Sequence, residues 1–81
     1  MDKFWVTIGG EFYEVDAADY QAAKYEAASR FRVQINLDIP LSVIVPYAKA
    51  SLMKGAPTST ITTEELLKKL KESEEVTSNE L

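Results

Sequence analysis

The pattern of hydrophobic and polar positions changes from strand-like to helix-like near residue 16. Residues 3–8 and 11–15 are rich in aromatic and β-branched side chains, and Gly9-Gly10 stands between them. Because glycine tolerates the positive φ of a two-residue type I′ or II′ turn, the pattern predicts an N-terminal β-hairpin.

A two-residue turn also fixes the register of the hairpin, with Ile8 opposite Glu11 and Phe4 opposite Val15. Successive strand side chains point to opposite faces. The face predicted to form the core carries Phe4, Val6, Ile8, Tyr13 and Val15. The other face carries Trp5, Thr7, Phe12 and Glu14, and it is too aromatic for a plain solvent face.

An alanine-rich helix is predicted to follow the hairpin, over residues 17–30 or 17–31. Asp16 is a favoured N-cap residue, and Asp19 suits the first turn, where the helix dipole favours acids. A helix-spaced stripe is expected to pack on the hairpin. It consists of Tyr20, Ala23, Ala27 and Phe31, with Ala28 beside them.

The middle of the chain permits two interpretations. Residues 43–45 are β-prone and favour a third strand that begins near Ser42, which would support an otherwise marginal hairpin. Pro46 and Gly55 instead fit the two ends of a short helix. A mixed arrangement, with a strand to Val45 and then a short helix, remains open.

The C-terminal third predicts a linker, a capped helix and a frayed tail, at residues 56–61, 62–75 and 76–81. Thr62 can cap the helix with Glu65 in a capping box, and Ile61 can pack on Leu66. The apolar stripe is narrow, with Leu66, Leu67 and Leu70 only. The domain of residues 1–55 is therefore expected to stay folded when the chain is ended at Pro57.

The composition of the chain argues against most kinds of enzyme catalysis. The 81 residues include no Cys and no His, so thiolate nucleophiles, the commonest general base and the commonest metal ligand are all missing. The acidic side chains lie at positions typical of solvated surface, without the spacing of a calcium loop. We expect no enzyme activity, cofactor or metal. Without a membrane-spanning pattern or a signal-peptide pattern, a cytoplasmic location is expected.

Charge gives weak support for nucleic-acid binding. The net charge is −4, and only residues 32–56 are net positive, with one acid and three bases. The candidate contacts to a nucleic acid are the cations Arg30, Arg32, Lys49 and Lys54, together with Tyr47, whose ring could stack on a base. Phosphate binding needs clustered positive charge, so solvated surface is the favoured interpretation.

Protein binding has the better candidate surface. Trp5 and Phe12 lie diagonally on the hairpin face opposite the predicted core, with Glu14 opposite Trp5 in register, and aromatic side chains are typical anchors of protein interfaces. The competing interpretation is that the C-terminal helix or the segment around Ile39 covers the rings. In that case Asp19 and Glu26, on the outer side of the first helix, become the candidate contacts.

Residues 4–31, a Phe-Trp-Val-Thr-Ile-Gly-Gly hairpin followed by the alanine-rich helix, resemble small accessory proteins encoded by bacteriophages and prophages. The resemblance covers about a third of the chain. It implies a non-enzymatic, acidic, cytoplasmic protein, of which several kinds bind and block a host enzyme or a defence protein, as anti-CRISPR proteins do. It carries over no functional residue.

Together these observations predict a small α+β domain: a hairpin, a helix packed on it, a third strand or short helix, and a capped C-terminal helix. The expected function is non-catalytic protein binding, as a phage-encoded inhibitor of a bacterial protein. The alternatives are a nucleic-acid-binding regulator and a self-assembling structural subunit. Pairing of copies also stays open, because a domain of about 60 residues is marginally stable alone.

Overall fold

The computed structural model describes residues 1–52 and 61–79, with side chains described to residue 72. This part of the chain folds into a three-stranded antiparallel sheet in the order β2-β1-β3, with helices packed on it, which confirms the α+β class. The elements are β1 (Asp2–Ile8), β2 (Glu11–Ala17), α1 (Tyr20–Ile35), α2 (Leu41–Ile44), a 3-10 helix (Val45–Tyr47), β3 (Ala48–Ser51) and α3 (Thr63–Asn79).

The hairpin has the register that its turn predicts. Ile8 lies opposite Glu11 and Phe4 opposite Val15, and the pairing continues to Asp2 and Ala17. Gly9 has a φ of +60° and is the glycine of the turn with a positive φ. A positive φ at the first central position alone is the pattern of a type II′ turn, which settles the choice between the two types.

The third strand exists, but its predicted start near Ser42 is wrong. Residues 41–47 are helical, and β3 follows them at Ala48–Ser51, antiparallel to β1 with Ala48 opposite Ile8. The mixed arrangement is also wrong, because the helical part comes first and the strand second.

Burial explains why the β-prone residues 43–45 form helical turns. Ile44 is fully buried and Val45 is 9% exposed, although the two are neighbours in the chain. In a strand they would point to opposite faces, whereas a helical turn lets both enter the core. Pro40 precedes α2 in an extended conformation, and Pro46 lies in the first turn of the 3-10 helix, where its missing N–H costs little.

Helix α1 begins three residues later than the predicted start at residue 17. Asp16 and Ala17 belong to β2, so Asp16 is not the N-cap. Asp19 takes that role: its Oδ1 accepts a hydrogen bond from the backbone N–H of Ala22 at 2.8 Å. The helix also runs past the predicted end to Ile35, and Asn36 closes it in the left-handed conformation at φ 56°.

One hydrophobic core lies between the sheet and the helices. The predicted stripe of α1 supplies four fully buried residues, while Tyr20 is 47% exposed and makes an edge-to-face contact with Phe4, with ring centroids 5.0 Å apart. The buried apolar residues of the sheet and α1 are Phe4, Val6, Ile8, Val15, Ala17, Ala23, Ala27, Ala28, Phe31 and Ala48.

Helix α3 contributes to the same core. Leu66 is fully buried and Leu70 is 1% exposed, while Ile61 and Leu67 are partly buried against the core. The predicted cap is present, because Thr62 Oγ1 accepts the N–H of Glu65 at 3.1 Å. The helix continues to Asn79, four residues past its predicted end at residue 75. The predicted linker, apart from Ile61, lies outside the described residues.

Candidate functional site

The face of the sheet that turns away from the core is formed by all three strands. Strand pairing and the two-residue period place alternate side chains on it. We call it the outer face, and it consists of Phe12, Glu14 and Asp16 from β2, Lys3, Trp5 and Thr7 from β1, and Lys49 and Ser51 from β3. The contribution of β3 was not predicted, because the sequence pattern placed this strand too early.

Two aromatic rings dominate the outer face. Phe12 is 49% exposed, and Trp5 on the central strand is partly exposed. Trp5 pairs with Glu14 on one side and Ser51 on the other, so it lies at the middle of the three strands. Thr7, the next outer-face residue of β1, is buried between Phe12 and Lys49. The two rings are therefore diagonal neighbours, as their register predicts.

The helices lie on the opposite side of the sheet. Glu11 shares the core face with Tyr13 and Ile8, and its carboxylate accepts a hydrogen bond from Thr63 at the start of α3. Leu66, one turn along α3, is buried in the core. The described contacts thus place α3 on the same side as α1, away from the two rings.

The other segment considered as a cover also packs into the core. Ile39 is 6% exposed and belongs to the core, and Leu41 packs against it. The sequence left open whether one of these two segments covers Trp5 and Phe12. In the described part of the chain, both candidate covering segments have their apolar residues in the core instead.

The other two candidate contacts, Asp19 and Glu26, lie at the start of α1 and on α1 rather than on the outer face. Asp19 caps α1 with its carboxylate. Glu26 is exposed on α1 and lies 3.4 Å from the Arg30 guanidinium. The five predicted contact residues therefore divide into two groups: Trp5, Phe12 and Glu14 share the outer face, and Asp19 and Glu26 lie on α1.

Two of the cations considered for nucleic-acid binding, Arg30 and Arg32, make contacts within the fold. Arg30 donates to the backbone carbonyl of Glu14 at 3.1 Å and also pairs with Glu26. Arg32 donates to the carbonyl of Ile39 at 3.1 Å and so holds the segment that follows α1. Lys49 is exposed on the outer face, and Lys54 lies outside the described residues. Of the described cations, Arg30 and Arg32 are thus engaged within the fold rather than presented together as a phosphate-binding surface.

A chain of hydrogen bonds joins three elements on the core side. Tyr13 donates its hydroxyl to Gln34 Oε1 at 2.6 Å, and Gln34 donates its amide to Glu11. Thr63 donates to the second oxygen of Glu11 at 3.0 Å. Burial, and then the negative charge of Glu11, raise the pKa of Tyr13 to about 12. A phenol with this pKa stays protonated at neutral pH, so Tyr13 acts as a hydrogen-bond donor in this network.

The remaining chemistry of the described residues is sparse. They contain no group of three or more acidic side chains that could hold a metal ion. A hollow on α3 is lined by five residues of that one helix, so it is a groove between neighbouring side chains rather than an enclosed site. Its lining is Glu64, Leu67, Lys68, Lys71 and Glu72.

Comparison with protein-family models, curated proteins and solved structures finds no match to this chain. Of the helices in the described ranges, none has the length and apolar content that a bilayer crossing needs.

Proposed function

We propose that this chain is a non-catalytic protein-binding module and that its outer face is the contact surface. The observation that carries the proposal is the pair of aromatic rings, Trp5 and Phe12, on a sheet face opposite both helices. A Trp at the centre of a patch, surrounded by polar side chains, is the usual arrangement of an interface hot spot. Glu14 and Lys49 supply a polar rim of both signs.

The partner class to test first is a bacterial enzyme or defence protein, with the chain acting as a phage-encoded inhibitor in the bacterial cytoplasm. The resemblance of residues 4–31 to phage accessory proteins supports this choice. The absence of Cys in the sequence is consistent with a reducing compartment.

The two alternatives have less support. For nucleic-acid binding, two of the four candidate cations, Arg30 and Arg32, are already engaged within the described part of the fold. Self-assembly through the C-terminal helix would need an apolar stripe on its surface. Two of the three leucines of that stripe, Leu66 and Leu70, are buried in the core of their own chain.

The test is partner capture by the immobilised chain from a bacterial lysate, followed by measurement with the purified partner. Phe12→Ala, alone and with Trp5→Ala, should weaken binding by about 2 kcal/mol or more, as truncation of a hot-spot aromatic does. For Phe12→Ala alone the melting temperature should move little, because Phe12 is half-exposed. Tyr25→Ala is the matched control, since Tyr25 is 40% exposed on α1.

Two results would contradict the proposal. Equal binding by the wild type and the double variant would remove the outer face as the contact surface. A large fall in melting temperature for Phe12→Ala would place that ring inside the fold. The salt dependence of the binding affinity distinguishes the nucleic-acid alternative from protein binding. Phosphate contacts weaken steeply with ionic strength, whereas an aromatic protein interface does not.

A further inference from the structure

Strand β2 is an edge of the sheet along its whole length. The order β2-β1-β3 pairs Glu11–Ala17 with β1 on one side only, within the described sheet. Arg30 of α1 donates to the Glu14 carbonyl, so this carbonyl faces away from β1. Backbone groups alternate in direction along an antiparallel strand, which places those of Phe12 and Asp16 on the same free edge.

One backbone acceptor on this edge, the Glu14 carbonyl, already receives a hydrogen bond from a side chain of the same protein. The Arg30 guanidinium lies 3.1 Å from the Glu14 carbonyl and 3.4 Å from the Glu26 carboxylate. A cationic donor from the chain itself therefore already occupies one edge acceptor. Because Glu26 is a second acceptor, Arg30 can leave the carbonyl to an incoming strand and keep its carboxylate partner.

The side chains beside this edge define a pattern. Phe12, Glu14 and Asp16 are all exposed and point to the outer face at alternate positions. A strand added to β2 would place its own outer-face side chains directly beside these three. An apolar residue matches Phe12, and basic residues match the two acids.

We propose that the partner binds by adding a strand to the edge of β2, through an extended segment with one apolar and two basic residues at alternate positions. The inference rests on the proposed function and names its partner chemistry, because the added strand would continue the outer face from Phe12 outward. Main-chain hydrogen bonds would give affinity, and the alternate side chains would give selectivity.

A second copy of the chain fits this edge less well. Two β2 strands paired antiparallel about Glu14 would place that carboxylate opposite its own copy, and Phe12 opposite Asp16. Like charges directly opposite each other destabilise a strand pair. Each copy also carries a net charge of −4, which opposes the approach of another.

The test uses the full chain, labelled with nitrogen-15, and two synthetic peptides. One is acetyl-Thr-Leu-Thr-Lys-Thr-Lys-Thr-amide and the other has the reverse order, so that parallel and antiparallel pairing are both covered. At least one should slow amide hydrogen exchange at residues 12, 14 and 16, with much less change at residues 13 and 15, which face β1. Matching peptides with Glu in place of Lys should have no such effect.

A charge-reversal variant of β2 tests whether the two acids select the basic peptide. Glu14→Lys with Asp16→Lys should weaken lysine-peptide binding about tenfold and allow the glutamate peptides to bind instead. Glu64→Lys with Glu72→Lys, on the exposed surface of α3, makes the same change in net charge and should leave binding as in the wild type.

The inference is overturned if the lysine peptides protect no β2 amide, or if both variants weaken binding equally. Its failure is distinguishable from that of the proposed function. Loss of the protein partner in the Trp5 and Phe12 variants, with residues 12, 14 and 16 unprotected in the complex, would overturn strand addition alone. Peptide binding at β2 with an unaffected protein partner would overturn the outer face as the partner site and support the edge.

Discussion

The Thr63 hydroxyl oxygen accepts a hydrogen bond from the backbone N–H of Gly10 at 2.8 Å, across 53 positions of the sequence. The same hydroxyl donates to Glu11 at 3.0 Å. The start of α3 is thereby attached to the turn of the hairpin. Gly9 completes the contact, because a Cβ atom there would lie 3.0 Å from the Thr63 Cα. The glycine is required both for its positive φ and for this close approach.

Removal of the Thr63 hydroxyl should loosen this attachment. Thr63→Ala loses a hydrogen bond to a backbone N–H and one to a carboxylate, and we expect the free energy of unfolding to fall by about 1–2 kcal/mol in urea denaturation. Thr63→Ser keeps the hydroxyl and should retain most of the stability. Equal losses in the two variants would show that the methyl group, and not the hydrogen bonds, makes the contribution.

Helix α3 should be needed for stability, contrary to the expectation from its narrow stripe. Leu66→Ala should lower the free energy of unfolding by about 2–5 kcal/mol, because the side chain is fully buried. Leu67→Ala, at a partly exposed position of the same helix, should cost less. A chain ended at Pro57 should lose most of its cooperative unfolding transition. Wild-type-like unfolding of that truncated chain would show that the core does not depend on Leu66 and Leu70.

The small side chains of α1 should be required where the helix meets the sheet. Ala27 is fully buried, so Ala27→Leu should overpack the core and destabilise it by about 1–3 kcal/mol. Ala22→Leu makes the same change at an exposed position of α1 and should move the melting temperature little. If thermal unfolding ranks the two variants the other way, the packed face of α1 is wrongly assigned.

Tyr13 should make stability depend on pH in the alkaline range. Burial and the Glu11 carboxylate raise its pKa from 10.0 to about 12, so folding favours the protonated phenol. This contribution to stability is complete below pH 10.0, the value before the shift, and is lost as pH rises through about 12. Tyr13→Phe should therefore show a shallower alkaline decline in urea denaturation. Parallel declines in the variant and the wild type would contradict the shift.

Local chemistry allowed the hairpin, and the shared face of three of the five candidate contact residues, to be predicted from sequence. A two-residue glycine turn and the period of two fix the register, and the register alone places Trp5, Phe12 and Glu14 on one face. The cap at Thr62 is also local, since its partner is the N–H three residues along the chain. Asp16 was the wrong N-cap because β2 continues past it, and the pairing of Ala17 with Asp2 decides this.

Tertiary structure decided the features that depend on burial. The β propensity of residues 43–45 is overridden because a helical turn buries both Ile44 and Val45, and this moves the third strand to Ala48–Ser51. The attachment of α3 depends on the contact between Thr63 and Gly10, which no local pattern contains. The same attachment places Leu66 and Leu70 in the core on the side of α1, opposite Trp5 and Phe12. The sequence determined which residues share each strand face, whereas long-range packing determined which face the helices cover.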